Sequence, residues 1–190
     1  MIVLLDIRIA TGMVIVMGIL IFQGVNVVNN DSPKMRRLKS DYENIISEFS
    51  GNKYINVEPL EESPCRKYRV IYKFNSYSLK ESSKSKIQVE LKGPQVIEID
   101  LLENYPREKP YFTYKTEIFH PNFGNYICIA DHWAPSSKLT DLIYQIGDML
   151  LYKTFNSTSP LNAKAAVWAL NNIEKFPTEK INLRMIDFKL

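Results

Sequence analysis

The sequence predicts an α+β domain in which a four-stranded antiparallel meander is flanked by an N-terminal helix and two or more C-terminal helices. Three observations carry that prediction. Apolar residues recur at three- and four-residue steps from Met35 to Phe49, alternate between Tyr54 and Tyr114, and return to helical spacing from Leu139. At 190 residues, 45% apolar and 24% charged, the chain has the composition of a globular protein with one ordinary core plus an appendage. A net charge of +3, with no basic block interleaved with aromatics, argues against nucleic acid as a partner. The two cysteines, Cys65 and Cys128, are too few for a disulfide framework and fit a reducing, cytoplasmic compartment.

The appendage is N-terminal. Residues 9–30 carry no charge, and as a helix those 22 residues would reach about 33 Å, enough for a bilayer. Lys34, Arg36, Arg37 and Lys39 follow, which would keep the remainder on the cytoplasmic side. Gln23, Asn26, Asn29 and Asn30 shorten the truly apolar stretch, and Asp6 with Arg8 makes a poor signal-peptide start. Residues 1–33 therefore read either as a membrane tether, with contact through 9–30, or as an extension outside the fold.

Asp31-Ser32-Pro33 starts the first helix, a capping side chain followed by a proline whose missing N–H does no harm there. Met35, Leu38, Tyr42, Ile45, Ile46 and Phe49 form its apolar stripe, and Ser50-Gly51-Asn52 ends it. "YINVEPL", "RKYRVIYKF", "SKIQVEL" and "PQVIEIDLL" read as the four strands, separated by polar turns such as "LKESSK". "NYPREKPYF" holds two prolines and is too kinked for a regular element. After an irregular stretch around Cys128, Leu139, Leu142, Ile143, Ile146, Met149 and Leu150 mark a second helix. A third opens at "SPLNAKAAVWAL", with Ser159 as cap and Pro160 as first helical residue, and a charged tail follows over 176–190.

The irregular stretch, "FHPNFGNYICIADHWAPSSKL", gathers Cys128, both histidines and Trp133 into 21 residues. Three chemistries fit. His120, Cys128 and His132, with Asp131, are permitted zinc ligands, but their spacing matches no paired ligand pattern and no Cys-x-x-Cys anchors them. Cys128 with His132 or His120 as base would make a hydrolytic dyad. Cys128 between Ile127 and Ile129 could also be a small buried hydrophobe, although the turn formers on either side suggest surface backbone.

Taken in order, Tyr105-Pro106 with Pro110, His120-Pro121-Asn122, Ile127-Cys128, Trp133 with Pro135, and Pro160-Leu161-Asn162 resemble the motif series of ubiquitin-conjugating enzymes. The resemblance covers residues 34–175, which makes that span the catalytic domain. The five-position step from Cys128 to Trp133 resembles members encoded in bacterial ubiquitin-like conjugation operons, a context linked to defence against phage.

The resemblance implies a ubiquitin-conjugating-enzyme-like fold and acyl transfer without metal or cofactor. Cys128 would accept a ubiquitin-like protein from an activating enzyme as a thioester and pass it to an amine, a lysine of a protein substrate. Asn122 would either donate to the oxyanion or fix the loop beside Cys128. His120, Pro121, Trp133 and Pro135 would shape the loop, and Asp131 and His132 would lie near the incoming amine. Arg36, Arg37 and Lys39 would dock the activating enzyme. Three positions depart from the family pattern: Ser159 stands where many members have an aspartate, Ala130 replaces another acidic residue, and Arg107 replaces an apolar residue presented to ligases. The rival reading of the same fold is a catalytically silent module that binds a ubiquitin-like protein without carrying it.

Overall fold

The computed structural model describes residues 31–82, 87–129 and 133–184, without the side chains of 81 and 82. The uncharged run 9–30, the trio Ala130, Asp131 and His132, and residues 185–190 lie outside the described residues. No helix among the described residues is long and apolar enough to cross a membrane.

Helix α1 (Pro33–Phe49) begins with Ser32 Oγ accepting the Met35 amide at 3.1 Å and Pro33 in the first turn. Leu38, Ile45 and Phe49 of the expected stripe are buried, whereas Ile46 is exposed. The remaining inward position belongs to a charge, Asp41, only 5% exposed.

Six strands follow: β1 (Ile55–Pro59), β2 (Lys67–Tyr72), β3 (Ser76–Ser82), β4 (Ile87–Lys92), β5 (Gln95–Asp100) and β6 (Tyr111–Tyr114). The antiparallel four-stranded sheet is real, in the order β1-β2-β5-β6, but its members differ from those expected. "SKIQVEL" lies outside it, paired with β3 as a separate two-stranded hairpin. The polar "LKES" read as a turn is part of β3, and the fourth strand of the sheet is "YFTY", directly after the two prolines. Alternation alone identifies strands, not partners, and four residues are too few for a periodic signal.

The hairpin leaves the sheet because its apolar side chains have another home. Tyr77, Leu79, Ile87 and Val89 pack with Phe119, Tyr152, Trp168 and Phe176 in a second, aromatic cluster. Ser76 Oγ donates to Leu150 O at 2.7 Å and Ser78 Oγ to Glu117 O at 2.6 Å, fixing β3 to its new neighbours. At Gly93, where the chain returns to β5, a Cβ would sit 2.4 Å from Phe74 O, so only glycine fits that crossing.

The main core fills the space between the sheet's inner face (Ile55, Tyr68, Val70, Tyr72, Ile97, Ile99, Phe112), α1 and helix α2 (Leu139–Leu150). Helix α3 (Ala163–Leu170) is shorter than its sequence pattern. Asn162, not Ser159, caps it, its side chain accepting the Ala165 amide at 3.0 Å. Residues 176–184, set apart above as a tail, pack into the domain: Phe176 enters the aromatic cluster, and Leu183 is buried with its carbonyl accepting from Asn52 Nδ2 at 2.8 Å.

Asp41 explains how a charge can face inward on α1. Its Oδ2 accepts from Arg37 Nε at 2.7 Å and from Tyr105 O–H at 2.5 Å. The same guanidinium donates to Tyr105 Oη at 3.0 Å, to Ser137 O at 2.6 Å and to Pro135 O. Burial, then the neighbouring carboxylate, pushes the Tyr105 phenol well above its ordinary value, so it remains a donor. Replacing Asp41 by Ala leaves the Arg37 guanidinium without its carboxylate and should cost about 3 kcal/mol in urea unfolding, whereas Arg37→Met with Asp41→Leu should recover most of that loss.

Candidate active site

The cysteine segment is built outward from a buried histidine. Phe119 N–H donates to Tyr77 O at 2.7 Å, which delivers His120 to the floor between the two cores. His120 is 0% exposed, packed edge-on against Tyr152 at 4.5 Å and Phe123 at 5.2 Å between centroids. Its Nδ1 accepts the Asn122 amide at 3.1 Å, so the proton of the neutral ring sits on Nε2. That Nε2–H makes no well-formed hydrogen bond among the described residues. Burial lowers the His120 pKa to about 3, and a longer-range approach of the Thr154 backbone pulls the other way. With Nδ1 spent on the loop and the ring sealed from solvent, His120 cannot serve Cys128 as a base in this geometry.

Pro121 and Asn122 then tie three pieces of chain together. Pro121 O accepts the amides of Leu161 at 2.9 Å and Asn162 at 3.0 Å, which is why "SPLN" stays extended until α3 starts. Asn122 brackets Cys128 on both sides: its O accepts the Cys128 amide at 2.9 Å and its Nδ2 donates to Cys128 O at 3.3 Å. Its Oδ1 accepts the Asn156 amide at 2.8 Å. Both ends of the buried side chain are therefore engaged with backbone.

Between Asn122 and Cys128 the chain makes a tight excursion closed by an antiparallel bridge from Phe123 to Ile127. Tyr114 O–H donates to Gly124 O at 2.6 Å, and a Cβ on Gly124 would lie 2.9 Å from Leu161 Cβ. Cys128 emerges half-buried with a free thiol. Gln145 of α2 donates to Ile129 O just beyond it. Cys65, by contrast, is fully buried in the main core with its thiol donating to Lys67 O.

On the far side of the segment, Trp133 Nε1 donates to Pro106 O at 2.8 Å, and its ring lies 5.9 Å from Tyr105. Pro135 is exposed and offers its carbonyl to Arg37. The three basic residues of α1 thus have different settings. Arg37 faces inward and holds the 135–137 turn, while exposed Arg36 donates to Asp31 O at 2.6 Å and Lys39 pairs with Asp31 at 2.6 Å. Asp131 and His132 lie outside the described residues. Among the described residues no cluster of three or more His, Cys, Asp or Glu could hold a metal.

Four contributors escaped the sequence reading: Asp41, Tyr114, Gln145 and Asn156. Only Asn156 left a local signal. Its Oδ1 accepts from Thr158 N at 2.9 Å, Thr158 Oγ1 at 2.8 Å and Ser159 N at 3.2 Å, a turn that "NSTS" announces. Tyr114 and Gln145 act across 10 and 16 residues, and Asp41, although four residues from Arg37, is held inward by Tyr105 64 residues away. Chemically, the site offers a partly exposed thiol on rigidly braced backbone, with no buried charge beside it among the described residues.

A family model for the ubiquitin-conjugating enzyme matches residues 85–183, just over half of the chain. Among curated proteins, a ubiquitin-conjugating enzyme E2 of African swine fever virus is 26% identical over 162 residues, 71% of this chain and 69% of the viral one. Ubiquitin-conjugating enzyme E2 16 of Schizosaccharomyces pombe is 31% identical over 80 residues, 39% of this chain and 49% of its own. The NEDD8-conjugating enzyme Ubc12 of Arabidopsis thaliana is 35% identical over 80 residues, 39% of this chain and 42% of its own. Together with the α+β architecture and the ordered motifs around Cys128, the match establishes that the chain belongs to the ubiquitin-conjugating enzyme family.

Proposed function

We propose that this chain is an active conjugating enzyme in which Cys128 carries the C-terminal acyl group of a ubiquitin-like protein. The observation that carries the reading is the bracketing of Cys128 by Asn122, which presents a free, half-buried thiol on backbone that cannot drift. In the first step the Cys128 thiolate attacks the thioester on an activating enzyme, and the activating enzyme's thiolate leaves. In the second an amine attacks the Cys128 thioester, the Cys128 thiolate leaves, and the amine sheds a proton to form the amide. A thiol of ordinary acidity suits both steps, since a strongly acidified sulfur leaves well but attacks poorly.

Within this reading Asn122 works as the brace of the cysteine loop, because both ends of its side chain already serve backbone groups. Asp131 and His132 receive the incoming lysine. Arg36 and Lys39 form the docking face for the activating enzyme, with Arg37 acting from inside the fold. The catalytic domain spans 34–175, with 31–33 starting its first helix and 176–184 folded onto it, and the segment before residue 31 serves as tether or extension. The short step from Cys128 to Trp133 supports kinship with members of bacterial conjugation operons.

The reading is tested by incubating the chain with a cognate activating enzyme, ATP and the ubiquitin-like protein, followed by a non-reducing gel. A thiol-sensitive adduct should form, survive Cys65→Ser, and be lost in Cys128→Ser. Absence of any adduct with a working activating enzyme leaves the silent binding module instead. Asn122→Ala should still load but discharge slowly, and should also lose about 1–3 kcal/mol of stability, because the Asn156 amide loses its acceptor. Slow discharge with unchanged stability would mean an oxyanion donor rather than a brace.

His120 makes the loop acid-sensitive. Its folded value, about 3, lies below the ordinary imidazole value, so the unfolded chain binds the extra proton as pH falls. Stability from this group is intact above about pH 6.5 and drains away towards pH 3, roughly 2 kcal/mol being gone by pH 5. Unfolding free energies from urea titrations at pH 7 and pH 5 should differ by that amount more for wild type than for His120→Gln.

A further inference from the structure

The sheet order leaves β6 as an edge strand. Lys115 N–H donates to Val96 O at 2.8 Å, and the β5–β6 register then makes Thr113 and Tyr111 the bonded positions of the ladder. Phe112 and Tyr114 must therefore turn their backbone N–H and C=O away from β5. At Tyr114 that edge is covered, since its ring packs edge-on against Phe123 at 5.8 Å and its hydroxyl donates to Gly124 O. At Phe112 the outward amide and carbonyl have no partner among the described residues.

Beside this open position a cleft of about 430 Å³ separates β6 from the cysteine segment. Pro110, Phe112, Ile127, Ile129, Trp133 and Leu142 make its walls apolar. Two large aromatic side chains stand at its mouth, Tyr111 at 46% and Tyr126 at 45% exposure, more than packing alone explains. Lys109 completes the rim as an exposed cation that pairs with no carboxylate among the described residues. The neighbouring Glu108 is occupied by Asn104 Nδ2 at 2.9 Å.

These features ask for different parts of one ligand. Unpaired strand groups want a second extended backbone, an apolar cleft wants a bulky side chain, and a free cation wants a carboxylate. A small apolar molecule would leave the Phe112 backbone unserved. A second copy of the chain meeting this edge with the same edge would bring another Lys109 to the rim and no unengaged carboxylate, since Glu108 is held by Asn104. We propose that the β6 edge and its cleft dock an extended segment of a partner protein, with an apolar or aromatic side chain in the cleft and a carboxylate against Lys109. Because Ile127 and Ile129 flank Cys128, the docked segment would lie along the reactive loop without occupying the sulfur. The docking itself does not depend on Cys128 being catalytic.

A displayed library of random heptapeptides, selected on the full chain and counter-selected on Lys109→Glu, tests this directly. The expected consensus is a large apolar residue next to Asp or Glu in an extended, proline-free frame. The best peptide, fluorescein-labelled and followed by anisotropy, should bind about tenfold more weakly to Lys109→Glu and to Tyr126→Ala. Methylating the peptide amides that would pair with Phe112 should cost about tenfold again, which a ligand held only by side chains would not feel. Binding to Cys128→Ser should be unchanged, so a failed thioester assay leaves this result standing. No enriched consensus, a basic consensus, or indifference to amide methylation overturns the proposal. So does binding that appears only when residues 1–30 are deleted, which would assign the edge to the chain's own N-terminal segment. A concentration-dependent dimer that the peptide dissolves would assign it to a second copy and overturn the proposal equally.

Discussion

An irregular segment that carries a reactive thiol must still satisfy its own peptide groups, and at Cys128 one residue does most of that. Asn122 accepts from the Cys128 amide, donates to the Cys128 carbonyl and accepts from the Asn156 amide, while the adjoining Pro121 carbonyl accepts from Leu161 and Asn162. Buried backbone left unpaired costs as much as a lost hydrogen bond, so this node decides whether the loop exists at all. From it the position of the sulfur, the start of α3 and the 154–159 turn all follow. His120 supports the node from below, at the expense of an Nε2–H that makes no well-formed hydrogen bond among the described residues.

A second, independent constraint holds the other end of the segment. The Arg37–Asp41–Tyr105 cluster connects α1 to the turn at 135–137, and Trp133 is hooked to Pro106. A buried pair of this kind is worth little for net stability against well-packed apolar residues, but it is demanding about geometry. Its place here is consistent with that trade: the cluster fixes how the helix meets the loop beyond the cysteine.

Much of this was legible in the sequence because it is local. Ser32 and Pro33 start α1 as capping chemistry requires, α2 follows its apolar stripe from Leu139 to Leu150, and the motif order locates the segment around Cys128. What failed was everything decided by distant partners. Alternation in "SKIQVEL" is genuine, yet its strand pairs with β3 because Tyr77 and Val89 find Trp168 and Tyr152. Ser159 has a capping side chain, but Pro121 O holds Leu161 and Asn162 extended, so the helix waits for Asn162. Asp41 lies one helical turn from Arg37, but what turns the pair inward is Tyr105, 64 residues away. Propensity names candidates, and tertiary contacts choose among them.

The separate aromatic cluster has an optical consequence. The chain contains two tryptophans, and the fold assigns one to each neighbourhood: Trp168 is buried with Tyr77, Tyr152 and Phe176 on α3, and Trp133 sits half-buried at the end of the cysteine segment with its indole N–H on Pro106. Trp168 lies among rings and beneath the Lys175 ammonium, 5.8 Å from its centroid, while Trp133 shares its surroundings with Tyr105 and a main-chain carbonyl. The molecule therefore carries two indoles in different surroundings, one in the aromatic cluster and one at the end of the cysteine segment. A change that reaches the Trp133–Pro106 contact has its own intrinsic reporter, with no dye attached.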